Sequence, residues 1–537
     1  MQRPLGPKSA AVATPHPAAA SAGREILLAG GNAVDAAVAA MLTCCVAMPG
    51  SVGVGGYGGT MVAYLADPGR AVAIDFDSRA PLAYREDIFG GEWKKYDVGY
   101  LSITVPAVVA GLSMAMERYG TKPWADVSKP AITLAEQGIP ISADLKRQLD
   151  NWAKKADTLS LRALFPTKAV PEAGTVWVQG DMAKLLRRLA EEGPWALYRG
   201  DIPRTIVRQV RENGGILAEE DFRYCRPAVV EPLAIEYRGY RVLTAPPPAG
   251  GLTALQILKT LEQFDLRKIK PWGAEYFHLV AEAAKLSWQD RAMYLGDPAM
   301  TPIPEEELLS DTAASAKAER IRRGGVVRAN EASPPSPPHT VNVLTSDTSG
   351  NVVSLTATQG YLYGSAVVID GMGLIMGHGM SRFDLSAGSP NRPAPGKRMY
   401  HNMSPTLVLR PGGKPHAAVG LPGGQKIVTV TAQLVVNLID FHATPAQAVK
   451  AGRVHAEADE PLAVSSAVPD SVIEELRAMG HTVRRGQDVG GPPNEIGGKA
   501  NVILVNAERG TVQAASQASE DAAVVVDSIS RPAAGGN

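Results

Sequence analysis

The chain has 537 residues, a length that allows either several small domains or one large layered body. Lys plus Arg and Asp plus Glu each number 54, so the formal net charge is zero. Because the charges are balanced and form no long run of one sign, they give no electrostatic case for nucleic acid or an anionic membrane as partner. The composition therefore favours a small molecule.

Targeting signals and cysteine spacing both bear on the location of the protein in the cell. No segment reaches the ~18 consecutive apolar residues of a membrane span, and residues 1–23 lack the continuous apolar segment of a secretory signal. Cys44, Cys45 and Cys225 give neither a disulfide framework nor a zinc spacing. We therefore expect a soluble, cytoplasmic protein.

The first elements are a helix and a glycine-rich loop. Residues 18–48 form an alanine-rich helical pattern that stops and restarts at Gly30-Gly31. The loop 53–59 lacks the Lys-Ser/Thr ending of a phosphate-binding P-loop and leads into a strand, so its glycines favour close backbone approach instead. Residues 60–65 and 72–76 are predicted to be paired strands.

Helical patterns dominate residues 105–266, with an alternating strand predicted at 235–243. Helices are predicted at 252–263 and 274–294. The second carries His278 and Glu282 at i and i+4, a spacing that a metal pair can use, but the sequence suggests no third ligand nearby. A hydrogen-bonded pair on the helix face is the favoured interpretation.

After residue 340 the composition shifts towards strands, predicted at 341–343, 352–358, 366–369, 405–409, 417–420, 501–505 and 512–515. Helices are predicted at 427–440, 445–451 and 469–479. Strands in both halves with helices outside them predict one four-layer α/β/β/α body rather than two autonomous domains.

The segment 333–363 joins the two halves. A proline-rich run, SPPSPP, ends at His339-Thr340, and two β-branched runs follow, joined by a turn at 347–351. One interpretation is an ordinary linker and hairpin. The other is cleavage before Thr340, which would create an N-terminal threonine that is both nucleophile and base.

Several motifs resemble those of the γ-glutamyltransferase family of N-terminal-nucleophile hydrolases and occur in the same order as in that family. They cover nearly the whole chain and include GGNAVDAAVAA at 30–40, the glycine-rich stretch at 49–59, PPPAGG at 246–251, the segment 283–298 and GLPGG at 420–424. The resemblance implies a four-layer α/β/β/α fold and indicates no metal or organic cofactor.

The resemblance also implies self-cleavage before Thr340. The products would be a large fragment, 1–339, and a small fragment, 340–537, that stay together in one body as a heterodimer able to oligomerise further. The freed α-amino group, with an ordinary pKa of ~7.7 to 8, would accept the proton of the threonine hydroxyl.

Three further residues match the family's catalytic centre. Thr358 matches a second threonine that orients the nucleophile, although it also suits a plain β-branched strand position. Gly423 and Gly424 match the oxyanion hole, where backbone N–H groups face the developing negative charge. A Gly-Gly pair alone is a weak signal, but it is strong within Gly420–Gly424.

Other positions near the nucleophile depart from the family. Asn342 and Leu344 stand where the family has histidine and serine, which bears on processing and orientation. Gly360 replaces an asparagine, and Gly379 replaces the glutamine or asparagine that bridges to the nucleophile in transferases.

The predicted substrate pocket has its charges reversed. Asp77 stands where the family has an arginine for the substrate α-carboxylate, and Arg382 where it has an aspartate for the α-ammonium. His401 and Asn402 replace two carboxylate-binding serines, and Arg79 lies two residues from Asp77, on the same face if the strand continues.

These departures predict a changed substrate. Arg382, with His401 and Asn402, would bind a carboxylate or amide oxygen on an acyl group that lacks the amino acid's ammonium. This is similar to relatives that hydrolyse glutaryl amides of cephalosporins or small amides such as oxamate. A flipped γ-glutamyl group, with its ammonium towards Asp77, is the other pose.

The sequence thus predicts an amidohydrolase that acts on a small amide through an acyl-threonine intermediate resolved by water. Two alternatives stay open. One is a true γ-glutamyltransferase and glutathione hydrolase. The other is an uncleaved, non-catalytic protein that binds an amide or acid metabolite.

Overall fold

The computed structural model describes residues 9–89, 97–328, 340–486, 498–506 and 509–527; the proline-rich segment 333–338 and His339 lie outside them. The strands are β1 Ser9–Ala13, β2 Gly58–Leu65, β3 Arg70–Asp75, β4 Ile139–Pro140, β5 Val176–Trp177, β6 Ala228–Val230, β7 Leu233–Tyr237, β8 Tyr240–Thr244, β9 Val341–Ser346, β10 Val352–Thr358, β11 Val368–Ile369, β12 Leu374–Ile375, β13 Thr406–Leu409, β14 Pro415–Gly420, β15 Val454–His455, β16 Leu462–Val464, β17 Val483–Arg485, β18 Asn501–Asn506, β19 Thr511–Ser516 and β20 Ala523–Asp527.

The α-helices are α1 Pro17–Leu28, α2 Ala33–Ala47, α3 Val108–Tyr119, α4 Trp124–Gln137, α5 Ala143–Ala153, α6 Thr158–Leu164, α7 Gly180–Glu191, α8 Asp201–Glu212, α9 Glu219–Tyr224, α10 Gly251–Glu262, α11 Ala274–Tyr294, α12 Glu305–Leu308, α13 Asp311–Arg322, α14 Lys426–Ile439, α15 Pro445–Lys450 and α16 Asp470–Ala478. None of the helices in the described ranges combines the length and apolar composition needed to cross a bilayer.

Two large sheets form the centre of the molecule. The first has seven strands in the order β20-β1-β9-β10-β2-β3-β6, and the second has six in the order β19-β18-β14-β13-β8-β7. Neighbouring strands in both sheets run antiparallel. Alanine, leucine, isoleucine, valine and tyrosine side chains from both sheets meet in a buried cluster that includes Ala11, Val62, Leu344, Leu407 and Ile503.

Helices cover both outer faces. On the first sheet, α1, α2 and α3 pack in a cluster that joins helical alanines and valines to β2, β3, β9 and β10. On the second sheet, α10, α11, α14 and α15 enclose a separate apolar cluster. The predicted four-layer α/β/β/α fold is therefore confirmed.

Helix α2 explains the alanine-rich motif. All of its residues are buried, and small side chains let it lie against α1, α4 and the sheet. The Asn32 side chain accepts from the N–H groups of Val34 and Asp35, while Asp35 accepts from the N–H of Asn32, a capping box that starts the helix.

The single strand predicted at 235–243 is wrong. The structure has a hairpin there, β7 and β8, turning at Arg238-Gly239, whose φ angles are 52° and 81°. Two consecutive positive φ values suit the tight turn that matches strand twist. Arg238 tolerates its conformation because its side chain is held by Asp440 and by the carbonyls of Glu262 and Phe264.

Candidate active site

One row of residues crosses four neighbouring strands at the end of the first sheet. Thr358 pairs with Gly58 at the last position of the β10–β2 ladder. Continuing the β9–β10 register by one residue brings Thr340 opposite Thr358, and continuing β2–β3 brings Asp77 opposite Gly58. Residues opposite one another project from the same face, so the Thr340, Thr358 and Asp77 side chains share it.

Gly58 lets Asp77 lie close to strand β2. A Cβ on Gly58 would lie 3.1 Å from Asp77 Oδ1 and 3.0 Å from Asp77 Cα, so only glycine permits this approach. Thr358 Oγ1 accepts a 2.9 Å hydrogen bond from the N–H of Gly360, which directs the hydroxyl proton elsewhere. Thr340 is buried and lies directly before β9.

The shared face looks towards the second sheet. Asn342, two residues after Thr340, abuts Gly420 at the end of β14, where a Cβ would lie 2.2 Å from Asn342 Nδ2. Its amide donates to the carbonyl of Leu355 and to Thr356 Oγ1, while Asn501 donates to the Asn342 backbone. Asn342, which stands where the family has a histidine, is therefore a hydrogen-bonded link between the two sheets.

Gly423 and Gly424 lie just beyond Gly420, between β14 and α14. Their φ values are 149° and 58°, a region that favours glycine. Their carbonyls accept hydrogen bonds from the N–H groups of Lys426 and Ile427. The hydrogen bonds at the first turn of α14 therefore involve the carbonyls of the two glycines and not their N–H groups. N–H donors at a helix N-terminus suit an oxyanion.

Asp77 and His401 form a buried pair. The N–H of Met403 donates to His401 Nδ1 at 3.2 Å, so the ring proton is on Nε2, which donates to Asp77 Oδ2 at 2.7 Å. Both side chains are almost completely buried. Within the described chain, Asp77 Oδ1 is also buried but has no hydrogen-bond partner, so it can accept a donor from a ligand.

Asp75 is the neighbouring carboxylate. Burial first, and then the charge of Asp77, raise the pKa of Asp75 to about 6, although its ion pair with Arg398 opposes this shift. Arg398 also binds Asp297 at 2.7 Å, which fixes the segment before His401 to the end of α11.

Arg382 is the predicted cation of the pocket. Its guanidinium lies 4.7 Å from the centre of the Tyr361 ring and donates to Ser381 Oγ at 3.1 Å. The charges of both Arg382 and Asp77 act on the pKa of the Tyr57 hydroxyl. Burial first raises the pKa of Tyr57, so its hydroxyl stays neutral.

Asn402 is oriented by a buried cation. Arg291 Nη2 donates to Asn402 Oδ1 at 2.8 Å and to the carbonyl of His401 at 3.2 Å. Its guanidinium lies between the rings of Trp288 and Tyr400, at 5.0 and 4.7 Å, and burial lowers its pKa to about 10. Since Oδ1 is occupied, Asn402 can offer a ligand its NH₂ donors.

Arg79 has different surroundings. Its Nη1 donates to the carbonyl of Gly396 at 3.0 Å and lies 4.0 Å from Asp297 Oδ2. It lines a surface pocket with Tyr224 and Cys225, and Asp77 is not among that pocket's lining residues. The substrate-binding role of Arg79 stays a prediction that these contacts do not support.

His378 explains a departure from the family. A Cβ on Gly360 would lie 2.0 Å from His378 Nε2, so the ring fills the space of the replaced asparagine. His378 Nε2 accepts from the N–H of Tyr361, and Nδ1 donates to the carbonyl of Asp97 at 3.0 Å. Gly360 therefore leaves room for the His378 ring.

Sequence reasoning missed Tyr57, Arg291 and His378. Tyr57 is an aromatic residue inside a glycine-rich loop, a signal that could have found it. Arg291 lies on the long helix α11, where the sequence does not show that its side chain is buried. The sequence suggests no third ligand near His278 and Glu282, and the structure brings His481 to them from 203 positions further along the chain. No local spacing reveals such a contact.

Comparisons with known proteins find similarity over nearly the whole chain. The family model described as Gamma-glutamyltranspeptidase matches residues 19–526. An Acylase ACY 1 proenzyme of Pseudomonas sp. (strain SE83) is 36% identical over 516 residues, 92% of this chain and 91% of that protein. A Glutathione hydrolase proenzyme of Escherichia coli (strain K12) is 31% identical over 530 residues, 93% and 91%.

A solved structure is similar throughout. The cephalosporin acylase from Bacillus halodurans superposes with a TM-score of 0.87 and 29% identity, covering 98% of this chain and 97% of that one. The similarity extends over both halves of the chain and both central sheets.

Proposed function

Because the chain belongs to the gamma-glutamyltranspeptidase family, with its self-processed amidohydrolases and acyltransferases, we propose that it is cleaved before Thr340 and hydrolyses the amide of a carboxylate-bearing acyl group. The observation that carries the proposal is the row of Thr340, Thr358 and Asp77 on one face of the first sheet, where Asn342, two residues after Thr340, contacts Gly420. Gly423 and Gly424 follow Gly420 by three and four residues, which supports assigning the oxyanion donors to the same site.

In self-cleavage, Thr340 Oγ1 attacks the carbonyl of the preceding residue. The C–N bond breaks as an ester forms, the nitrogen takes the hydroxyl proton, and water then hydrolyses the ester. The products are a carboxylate on the large fragment and a free α-amino group on Thr340.

In turnover, the α-amino group accepts the hydroxyl proton as Oγ1 attacks the substrate amide. Gly423 and Gly424 N–H groups hold the oxyanion, and one such donor is worth about 3 kcal/mol. The leaving amine takes the proton, and water repeats the attack on the acyl ester. Thr358 positions Oγ1 during both steps.

The pocket contacts support the choice of acyl group. The Arg382 guanidinium and the NH₂ of Asn402 are donors that suit a carboxylate or an amide oxygen. His401 acts on this pocket through Asp77, since both of its ring nitrogens already have partners. The unpartnered Asp77 Oδ1 favours a second candidate, a flipped γ-glutamyl group whose ammonium donates to it.

A denaturing gel tests processing. The purified chain should give two unequal bands, the smaller with an N-terminal Thr-Val-Asn sequence, and Thr340→Ala should give one full-length band. Thr348→Ala, at an exposed turn position in the same hairpin, should cleave normally. A single band from the folded parent chain would instead support the uncleaved binding protein.

A pair of anilides tests the substrate class. Glutaryl p-nitroanilide should be hydrolysed faster than γ-glutamyl p-nitroanilide, and Arg382→Gln should raise KM for the glutaryl compound by at least ~10-fold. Strong activity on the γ-glutamyl anilide alone would contradict the proposal. If Asp77→Asn then removed that activity, the flipped pose would be the one in use.

A further inference from the structure

Three side chains with metal-binding atoms meet outside the candidate active site. His278 and Glu282 lie one turn apart on α11, and His481 follows α16. One nitrogen or oxygen from each lies within 4.8 Å of the others, and His278 Nδ1 is 2.8 Å from His481 Nε2. Two imidazoles and a carboxylate form a recurrent donor set for zinc and similar ions.

The second histidine is already oriented as in a metal site. His481 Nδ1 donates to Glu460 Oε1 at 2.9 Å, so Nε2 carries the lone pair that faces His278. Glu460 is itself fixed by the N–H groups of Leu462 and Thr482, at 3.0 and 2.9 Å. A carboxylate behind a ligating histidine fixes its tautomer and strengthens it as a ligand.

We propose that His278 Nδ1, His481 Nε2 and Glu282 bind one divalent transition-metal ion of the zinc class. The ion replaces the hydrogen bond between the two imidazoles, and the His278 proton moves from Nδ1 to Nε2. The nitrogens must separate from 2.8 Å to ~3.3 Å to bind one ion at ~2.0–2.1 Å each. His278 is only partly buried, which leaves a way in.

The local charge favours a cation. Glu282 and Glu460 are two carboxylates against the one ammonium of Lys285, which lies 2.7 Å from Glu282 Oε1 and also pairs with Glu460. These three side chains therefore keep one net negative charge beside the two imidazoles.

The site spans the proposed cleavage point. His278 and Glu282 precede Thr340 in the chain, whereas His481 and Glu460 follow it. Glu282 also accepts from the N–H of Val327 at 2.6 Å, near the end of the proposed large fragment. The ion would thus tie the two fragments together. This consequence rests on the proposed function, while metal binding itself does not.

Cobalt titration tests the site. Chain without a polyhistidine tag is freed of metal with a chelator and titrated with Co²⁺, whose visible absorption reports nitrogen ligation. We expect one equivalent to bind, Zn²⁺ to displace it, and His278→Asn and His481→Asn each to weaken binding by at least ~10-fold. His442→Asn removes an exposed histidine elsewhere and should bind as the parent does.

The outcomes are separable. No binding by the parent at roughly 0.1 mM Co²⁺, or binding that survives both substitutions, would overturn the site. His278→Asn is the variant least able to disturb folding, because His278 is the least buried ligand. Thr340→Ala should still bind Co²⁺, so a failure of cleavage leaves this test intact. In the cleaved parent, Zn²⁺ should raise the urea concentration at which the fragments separate.

Discussion

Gly360 lacks a side chain because His378 occupies the space where one would project. The two residues lie on separate loops, and the ring is held by Tyr361 and Asp97 rather than by Gly360 itself. Gly360 also has a φ of 100°, which disfavours any L side chain. The replaced asparagine therefore could not return without movement of the histidine.

Gly360→Ala should lower the free energy of unfolding by about 3 kcal/mol or more, because it combines backbone strain with a steric clash. Gly99→Ala is the control, since Gly99 has a φ of 95° and a Cβ added there would meet no atom within 4 Å. Gly99→Ala should lower the free energy of unfolding only by the backbone strain, about 1–2 kcal/mol. Urea unfolding measures both. Equal losses of unfolding free energy in the two variants would show that His378 moves aside without an energetic cost.

The start of α2 depends on one buried carboxylate. Asp35 is fully buried and accepts hydrogen bonds from the N–H groups of Asn32, Thr121 and Lys122 and from Thr121 Oγ1. It therefore caps its own helix and fixes the loop between α3 and α4. This double role gives the GGNAVDAAVAA motif a structural reason.

Asp35→Ala should destabilise the fold by about 3–5 kcal/mol, because it leaves several buried N–H groups without an acceptor. Asp126→Ala, in the exposed first turn of α4, should cost less than about 1 kcal/mol. Chemical denaturation compares the two substitutions in the Thr340→Ala background, which is expected to keep the chain in one piece. A loss for Asp35→Ala no larger than the control's would contradict the capping role.

The two proposed fragments share both central sheets. β9 and β10, after the cleavage point, lie between β1 and β2, and β13 pairs with β8 across the same division. Lys285, before the cleavage point, pairs with Glu460, after it, which adds an ionic contact between the two parts. Separation therefore requires the sheets to open, not merely the release of a surface.

Acid should weaken this contact. Burial alone would raise the pKa of Glu460, but hydrogen bonds from His481 and Lys285 outweigh it and lower the pKa to about 2, from 4.5. The resulting stability, about 3 kcal/mol, is present above pH 4.5 and is lost as the pH falls towards 2.

Glu460→Gln should accordingly cost about 3 kcal/mol near pH 6 and less than half of that near pH 3, measured by urea unfolding with a chelator present. Glu474→Gln, at an exposed ion pair, should show little effect at either pH. A cost that stays constant across this pH range would contradict the assignment of the charge to Glu460.

Local sequence patterns determined most of the secondary structure and the family of this protein. Periodicity and turn residues predicted most of the large elements, because 3.6- and 2-residue patterns reflect burial on one side. Motif order identified the family, and hence the layers, and it predicted the roles of Thr340 and the Gly423-Gly424 turn. The hairpin at 238–239 was missed because Arg238 is held in its turn by distant partners, and β1 because its alanines have little intrinsic strand preference.

Only the tertiary structure decided which side chains meet. The family resemblance listed Asp77, His401 and Arg382, but the partners of the side chains come from other strands and loops. They are His401 for Asp77, Arg291 for Asn402, His378 for Gly360 and His481 for His278. Such contacts depend on sheet register and on loops packed across the layers. The linear sequence shows the periodicity of its hydrophobic residues, but not the distances between residues hundreds of positions apart.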